Sequence, residues 1–266
     1  EGVKRIVLGR ETTKEDIQDI INSVPIEIET FIHGAMCAGY SGRCVLSNFL
    51  TKRDANRGGC SQICRWDFKL LEEDKVIEAE KDFTLCSKDL SMLEVIPEMI
   101  DMGITSFKIE GRMRSIYYIA TVVSIYRKVI DEYLADPAKY QYNKTYEKIL
   151  RRCANRDNVI QFFNGKYDES CSYYNGRDEV SNQDFLGQVL DYDETTSLAT
   201  IEQRNYFAVG DVVEVFSPYH EDYEFTIEEI YDEDGNRIDV VRHPQQIVKV
   251  KFDKALYQFD LMRKKI

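Results

Sequence analysis

The first 34 residues read strand, helix, strand, and this order restricts the fold more than any other feature of the chain. "VKRIVLGRE" (3–11) is a short apolar run of Val3, Ile6, Val7 and Leu8 bounded by charge and Gly9. "TTKEDIQDIINSV" (12–24) offers Thr12 or Thr13 as a cap, acids in the first turn and an apolar stripe of Ile17, Ile20 and Ile21, and Pro25 ends it. "IEIETFIHG" (26–34) is a second strand. Two strands joined through a helix lie parallel with a right-handed crossover. The pattern resumes with a helix over 90–103, kinked or started late by Pro97 and ended by Gly103, and a strand over 104–111. A helix over 114–136 follows, apolar on most of its circumference and so expected to pack on more than one side. Parallel strands want both faces covered and both edges paired, which these few cannot provide alone. The chain also opens without Met, with its first strand two residues in. Residues 1–136 are therefore expected to be the C-terminal part of a (β/α) TIM-type barrel whose earlier units lie outside this chain.

Residues 66–87 read as a hairpin turning at 72–75, and residues 137–183 as a linking helix and loop. From Phe185 on, short strands recur between turns such as Asp234-Gly235-Asn236, which predicts a small β-barrel domain over 184–266. The fold class is thus α/β plus all-β. No apolar run approaches the roughly 18 residues of a membrane span, and no signal peptide is visible. Seven cysteines in 266 residues, five of them between 37 and 86, do not resemble a secreted disulfide scaffold, so a reducing, cytoplasmic setting is expected. The formal net charge of −12 argues against non-specific nucleic-acid binding by the whole surface. Locally the balance reverses: Arg43, Lys52, Arg53, Arg57 and Arg65 stand against Asp54 alone.

That basic stretch lies in an insertion over 33–65, "HGAMCAGYSGRCVLSNFLTKRDANRGGCSQICR". It holds Cys37, Cys44, Cys60 and Cys64, and Cys86 follows. Four thiolates can hold a [4Fe-4S] cluster or a zinc ion. Structural zinc favours two short knuckles, and only Cys60/Cys64 has that spacing. Irregular spacing, five glycines between 34 and 59 and the surrounding arginines suit an iron–sulfur cluster better. Buried unligated thiols and zinc stay open as alternatives, as does Cys86 in place of Cys64. Tyr40, Phe49 and Trp66, interleaved with Arg43, Arg53 and Arg65, can stack on an unpaired base or pack around the site.

A second constellation is "SFKIEGRMRS" (106–115), where a strand hands over to a helix, the mouth of a (β/α) barrel. Lys108 and Glu110 share a strand face, and Arg112 and Arg114 can reach an anion or form a salt-bridged strand end. His33 ends the strand before the cysteine segment and is expected at the same mouth.

At these residues the sequence resembles a known family. "ETFIHGAMCAGYSGRCVLSNFLTKRDANRGGCSQICRW" and "LCSKDLSMLEVIPEMIDMGITSFKIEGRMRS" resemble the U-32 peptidases, also called collagenase-like proteases. "FLGQVLDYD…VGDVVEVFSP" resembles the small β-barrel these proteins append. The branch most similar is that of prephenate-dependent tRNA hydroxylation, which converts wobble uridine to 5-hydroxyuridine. The resemblance implies a full barrel in the intact protein, a [4Fe-4S] cluster on Cys37, Cys44, Cys60 and Cys64, tRNA as partner and prephenate as co-substrate. Arg112 or Arg114 would meet its carboxylates. The family's older name implies instead a peptidase with a structural metal and a peptide substrate. Yet the sequence holds no Ser-His-Asp set and no HExxH motif. A metal-stapled RNA-binding module without catalysis is a third possibility.

Overall fold

A computed structural model describes residues 2–78, 80–112, 114–153, 156–174 and 184–265. The chain divides into two units, Glu1–Val180 and Ser181–Ile266.

In the first unit, β1 (Arg5–Val7), α1 (Lys14–Ser23) and β2 (Glu27–Gly34) form the expected parallel pair, with Ile6 opposite Ile28. Thr13 caps α1 by accepting from the Asp16 N–H at 3.2 Å. The strand is shorter than the apolar run suggested. After α2 (Leu46–Thr51) and the hairpin β3 (Leu71–Glu72) and β4 (Lys75–Val76), the chain forms β5 (Asp89–Ser91). A bridge between Phe68 and Phe83 extends the hairpin, so its predicted turn at 72–75 holds. The helix expected over 90–103 is shortened to α3 (Ile96–Asp101), because Pro97 sits in its first turn and the preceding residues pair as β5. Then come β6 (Ser106–Ile109), α4 (Ile116–Ala135), α5 (Lys144–Cys153) and β7 (Asn158–Val159).

The described sheet is mixed and does not close into a barrel. β1, β2 and β6 run parallel, while β5 pairs antiparallel with the end of β2 and carries β7 on its far side. Ile28 and Ile32 of β2 are buried, as are Val122, Ile125 and Tyr126 of α4. The Tyr126 hydroxyl donates to the Ile32 carbonyl at 2.8 Å and accepts from Met92 N–H at 3.1 Å, tying β2 to the segment after β5. Contrary to expectation, α4 buries one broad face only, and Ile116, Ile119, Val123 and Leu134 are exposed. No helix among the described residues is long and apolar enough to cross a membrane.

The second unit is a curled antiparallel sheet. Its strands are β8 (Phe185–Asp193), β9 (Leu198–Gln203), β10 (Phe207–Ala208), β11 (Val212–Phe216), β12 (Tyr223–Thr226), β13 (Ile230–Tyr231), β14 (Arg237–Ile238), β15 (Val240–Val241), β16 (Ile247–Lys251) and β17 (Leu261–Lys264). The main sheet runs β12-β11-β17-β8-β9-β16-β13-β14, and β10 pairs with β15. Alternation builds the core: Ala199, Ile201, Val213, Val215, Val248 and Val250 all point inward. β8 approaches β9 so closely that a Cβ on Gly187 would lie 2.7 Å from the Ile201 side chain.

Candidate functional site

The ends of β1, β2 and β6 meet, as the C-terminal ends of parallel strands do at ligand sites. Arg10, just past β1, donates to Glu110 Oε2 at 2.8 Å, and its guanidinium lies 3.6 Å from the centre of the Phe31 ring. Lys108 approaches the same ring at 5.2 Å and pairs with Glu29 at 3.6 Å. The Ser106 hydroxyl, then Lys108 and Arg5, hold the Glu29 carboxyl below the usual range. Arg10 and Lys108 thus both reach the Phe31 ring, and Arg10 links it to Glu110. Gly34 lets the strand ends approach: its φ is +115°, and a Cβ there would lie 2.6 Å from the Glu110 carbonyl.

From Gly34 the chain enters the cysteine segment, where polar pegs replace a core. Across 37–65 only Ser47 and Ile63 are buried. Glu11, past β1, accepts from the Ser41 N–H at 3.0 Å and from its hydroxyl at 2.9 Å. Asn56 clamps Cys44, accepting from its N–H at 3.2 Å and donating to its carbonyl at 3.1 Å. Ser47 Oγ accepts from Ser61 N–H at 3.0 Å. Gly59 passes close enough to Asp54 that a Cβ would meet its carbonyl at 2.7 Å.

This scaffold makes the cysteines neighbours. Cys37 lies within electrostatic reach of Cys44, Cys60 and Cys64, and Cys64 of Cys86. Cys37 is exposed, yet desolvation by the surrounding chain pushes its thiol up, with Arg10 pulling the other way. Burial raises Cys64 too, opposed by Arg65 and a hydrogen bond from the Ala38 backbone. Gln62 N–H donates to Cys60 Sγ at 3.3 Å. Backbone N–H groups aimed at sulfur, with guanidinia alongside, are the environment a metal-bound thiolate needs, so the donor set fits a thiolate-ligated centre. The side chains are not drawn to one point: among the described residues no three Cys, His, Asp or Glu groups stand close enough to share an ion.

The outer surface of the segment is apolar and basic. Tyr40 is 71% exposed, Phe49 83% and Trp66 48%. Tyr40 and Phe49 thus turn most of their surface to solvent, and Trp66 about half. Arg43, Lys52 and Arg53 are exposed, without an ion-pair partner among the described residues. Arg65 is half-buried and donates to Gln62 Oε1 at 2.7 Å.

One expected site residue lies elsewhere, and another is taken up by a salt bridge. His33 does not face the strand ends. The β2–β6 register shifts between Phe31 and His33, which turns the imidazole into the core against Tyr118 and Tyr126. Burial, then Arg114 nearby, lowers it to about 4. Arg114 is occupied by Asp89, at 2.7 Å, leaving Arg112 as the exposed arginine of that motif. Sequence reasoning missed Arg10, although a cation directly after a strand in a βα unit is a visible signal. It also missed Asp89 and Arg156, whose pairing across 67 residues no local pattern reveals.

Residues 1–172 match the Peptidase family U32, and residues 181–263 match the Peptidase family U32 C-terminal domain. The chain belongs to that family. It is 52% identical over 270 residues to tRNA hydroxylation protein P1 of Bacillus subtilis, covering 99% of this chain and 64% of that protein. It is 30% identical to tRNA hydroxylation protein P of Escherichia coli, covering 90% of this chain and 62% of that one. A collagenase of Porphyromonas gingivalis is 27% identical, over 80% of this chain and 55% of the relative. The chain thus spans less than two thirds of the length of these relatives.

Proposed function

We propose that this chain carries the cysteine site and RNA-facing surface of a tRNA-modifying enzyme that hydroxylates wobble uridine to 5-hydroxyuridine. The observation that carries this reading is the exposed Tyr40, Phe49 and Trp66 in the same segment as exposed Arg43 and Arg53, which have no ion-pair partner among the described residues, and as the four cysteines Cys37, Cys44, Cys60 and Cys64. Exposed rings stack on unpaired bases, and arginines meet phosphates, without requiring a basic chain overall. The names of the two tRNA hydroxylation relatives support the same substrate class.

Cys37, Cys44 and Cys60, with Cys64 or Cys86, would hold a [4Fe-4S] cluster, zinc being the alternative. When bound, the cluster supplies redox chemistry that side chains lack for placing oxygen on carbon 5 of a pyrimidine. Arg10 and Lys108 brace Phe31 and Glu110 at the strand ends, and Arg112 is the cation there for a carboxylate of prephenate. The parallel β1–β2–β6 arc is, in this reading, part of a (β/α) barrel.

A hydrolytic reading has little to stand on. The chain has three histidines. His33 is sealed in the core. His220 engages Glu221 O through Nδ1 at 2.8 Å and Asp260 through Nε2 at 3.0 Å, so no nitrogen remains to activate a nucleophile. His243 is exposed, and its backbone N–H donates to Gln246. The test is mass spectrometry of tRNA from a deletion strain carrying the wild-type gene or Cys37→Ser. Wild type should restore 5-hydroxyuridine-derived nucleosides and the variant should not. Full restoration by Cys37→Ser would overturn the proposal.

A further inference from the structure

Behind the cysteine segment lies a buried ion triad that none of the roles above uses. The Asp89 side chain is 1% exposed and that of Arg156 is 5% exposed. Asp89 Oδ2 accepts from Arg114 at 2.7 Å, and Oδ1 lies 2.8 Å from Arg156 Nη2. The second contact is an ion pair without hydrogen-bond alignment, since Asp89 Oδ1 accepts no bond. Arg156 is turned elsewhere: its Nη1 points at Cys86 Sγ, 4.0 Å away. Two guanidinia, those of Arg114 and Arg156, thus share one buried carboxylate. Lys88 and Asp157 nearby form a pair of their own at 3.8 Å and change the balance little.

Uncompensated positive charge in a low-dielectric interior is costly, and a second arginine on one carboxylate adds desolvation beyond what attraction returns. The arrangement makes sense where the sulfur side carries negative charge. We infer that Arg156, held by Asp89, is a positioning residue of the cysteine site. It donates an N–H to Cys86 Sγ and fixes positive charge behind Cys64 and Cys86, so that an anionic metal–thiolate centre is held more tightly and reduced more readily. This rests on the cysteine site being a metal site. Hydrogen bonds to sulfur and local charge set both affinity and potential in such centres.

The test compares wild type with Arg156→Gln and Arg156→Lys after anaerobic reconstitution, measuring metal loss to a chelator and the midpoint potential. Arg156→Gln should lose metal about ten to a hundred times faster, with a midpoint shifted to more negative potential. Arg156→Lys keeps the charge and the partner Asp89 and should fall between. It also serves as the informative variant if the Gln form does not fold. Arg114→Gln, whose guanidinium touches Asp89 and Tyr118 rather than sulfur, should shift the potential less. Unchanged loss rate and potential in Arg156→Gln would overturn the inference, as would an equal or larger shift in Arg114→Gln. If wild type takes zinc and no iron, the iron–sulfur reading fails, and faster zinc loss from Arg156→Gln still decides for or against Arg156.

Discussion

The cysteine segment and the C-terminal sheet are held together by different means. In the sheet, β8, β9, β11 and β16 present every second side chain to one continuous core, and Ile201, Phe207, Val213 and Val250 are completely buried. In 37–65 two buried residues and a set of polar pegs set the path, while large rings face outward. The sheet is made by burial of apolar area, which needs nothing from outside. The segment leaves its large rings on the surface, and its thiols are exposed or half-buried. Such a region gains order from what it binds, and its substitutions should show in binding before they show in stability.

This contrast can be broken. The largest expected effect is in the cores. Phe207→Ala should destabilise the C-terminal unit by about 3–5 kcal/mol, read as a lower midpoint in denaturant, and Asp89→Ala should cost the first unit roughly 3–5 kcal/mol by leaving Arg156 and Arg114 buried without their carboxylate.

Next comes a pH effect confined to the first unit. His33 is held neutral, at about 4 against an ordinary 6.5, by burial and then by Arg114, between Tyr118 and Tyr126. Its folded value is depressed, so the unfolded chain takes up a proton that the folded one refuses. The contribution is intact above about pH 6.5 and lost as pH falls to about 4, a change of about 3 kcal/mol. Denaturant midpoints across that window should fall in wild type and fall less in His33→Gln.

Gly34→Ala should cost about 1–3 kcal/mol through its positive φ, with displacement of Glu110 visible as weakened pairing to Arg10. The smallest stability effect belongs to Phe49→Ala and Tyr40→Ala, within about 0.5 kcal/mol. Those variants should nevertheless weaken binding of an anticodon stem-loop by about 1–3 kcal/mol per lost stack. A Phe49→Ala protein that melts several degrees lower and binds RNA normally would erase the distinction between the two regions.

The same contrast explains what could be read in advance. Period-two alternation marked the C-terminal strands, and the strand–helix–strand run marked the parallel pair, because both patterns record burial locally. Pro97 was visible, but the pairing of 89–91 with β2, which shortens the helix, depends on residues more than fifty positions away. His33 was misplaced by a register shift that no periodicity encodes. Arg114 takes the salt-bridged alternative, but its partner, Asp89, lies 25 residues back and no local pattern names it. In the cysteine segment the residue types were legible, but their spacing could not say that the rings would be exposed or that Asn56 and Glu11 would hold the path.

The central claim is that the thiols of 37–64 serve a redox metal centre. The most direct measurement is iron and acid-labile sulfide per chain after anaerobic purification, on wild type and Cys37→Ser. Wild type should hold about four of each and Cys37→Ser neither, with little change in the melting of the C-terminal unit. Zinc without iron in wild type after anaerobic reconstitution, or full iron in Cys37→Ser, would contradict it.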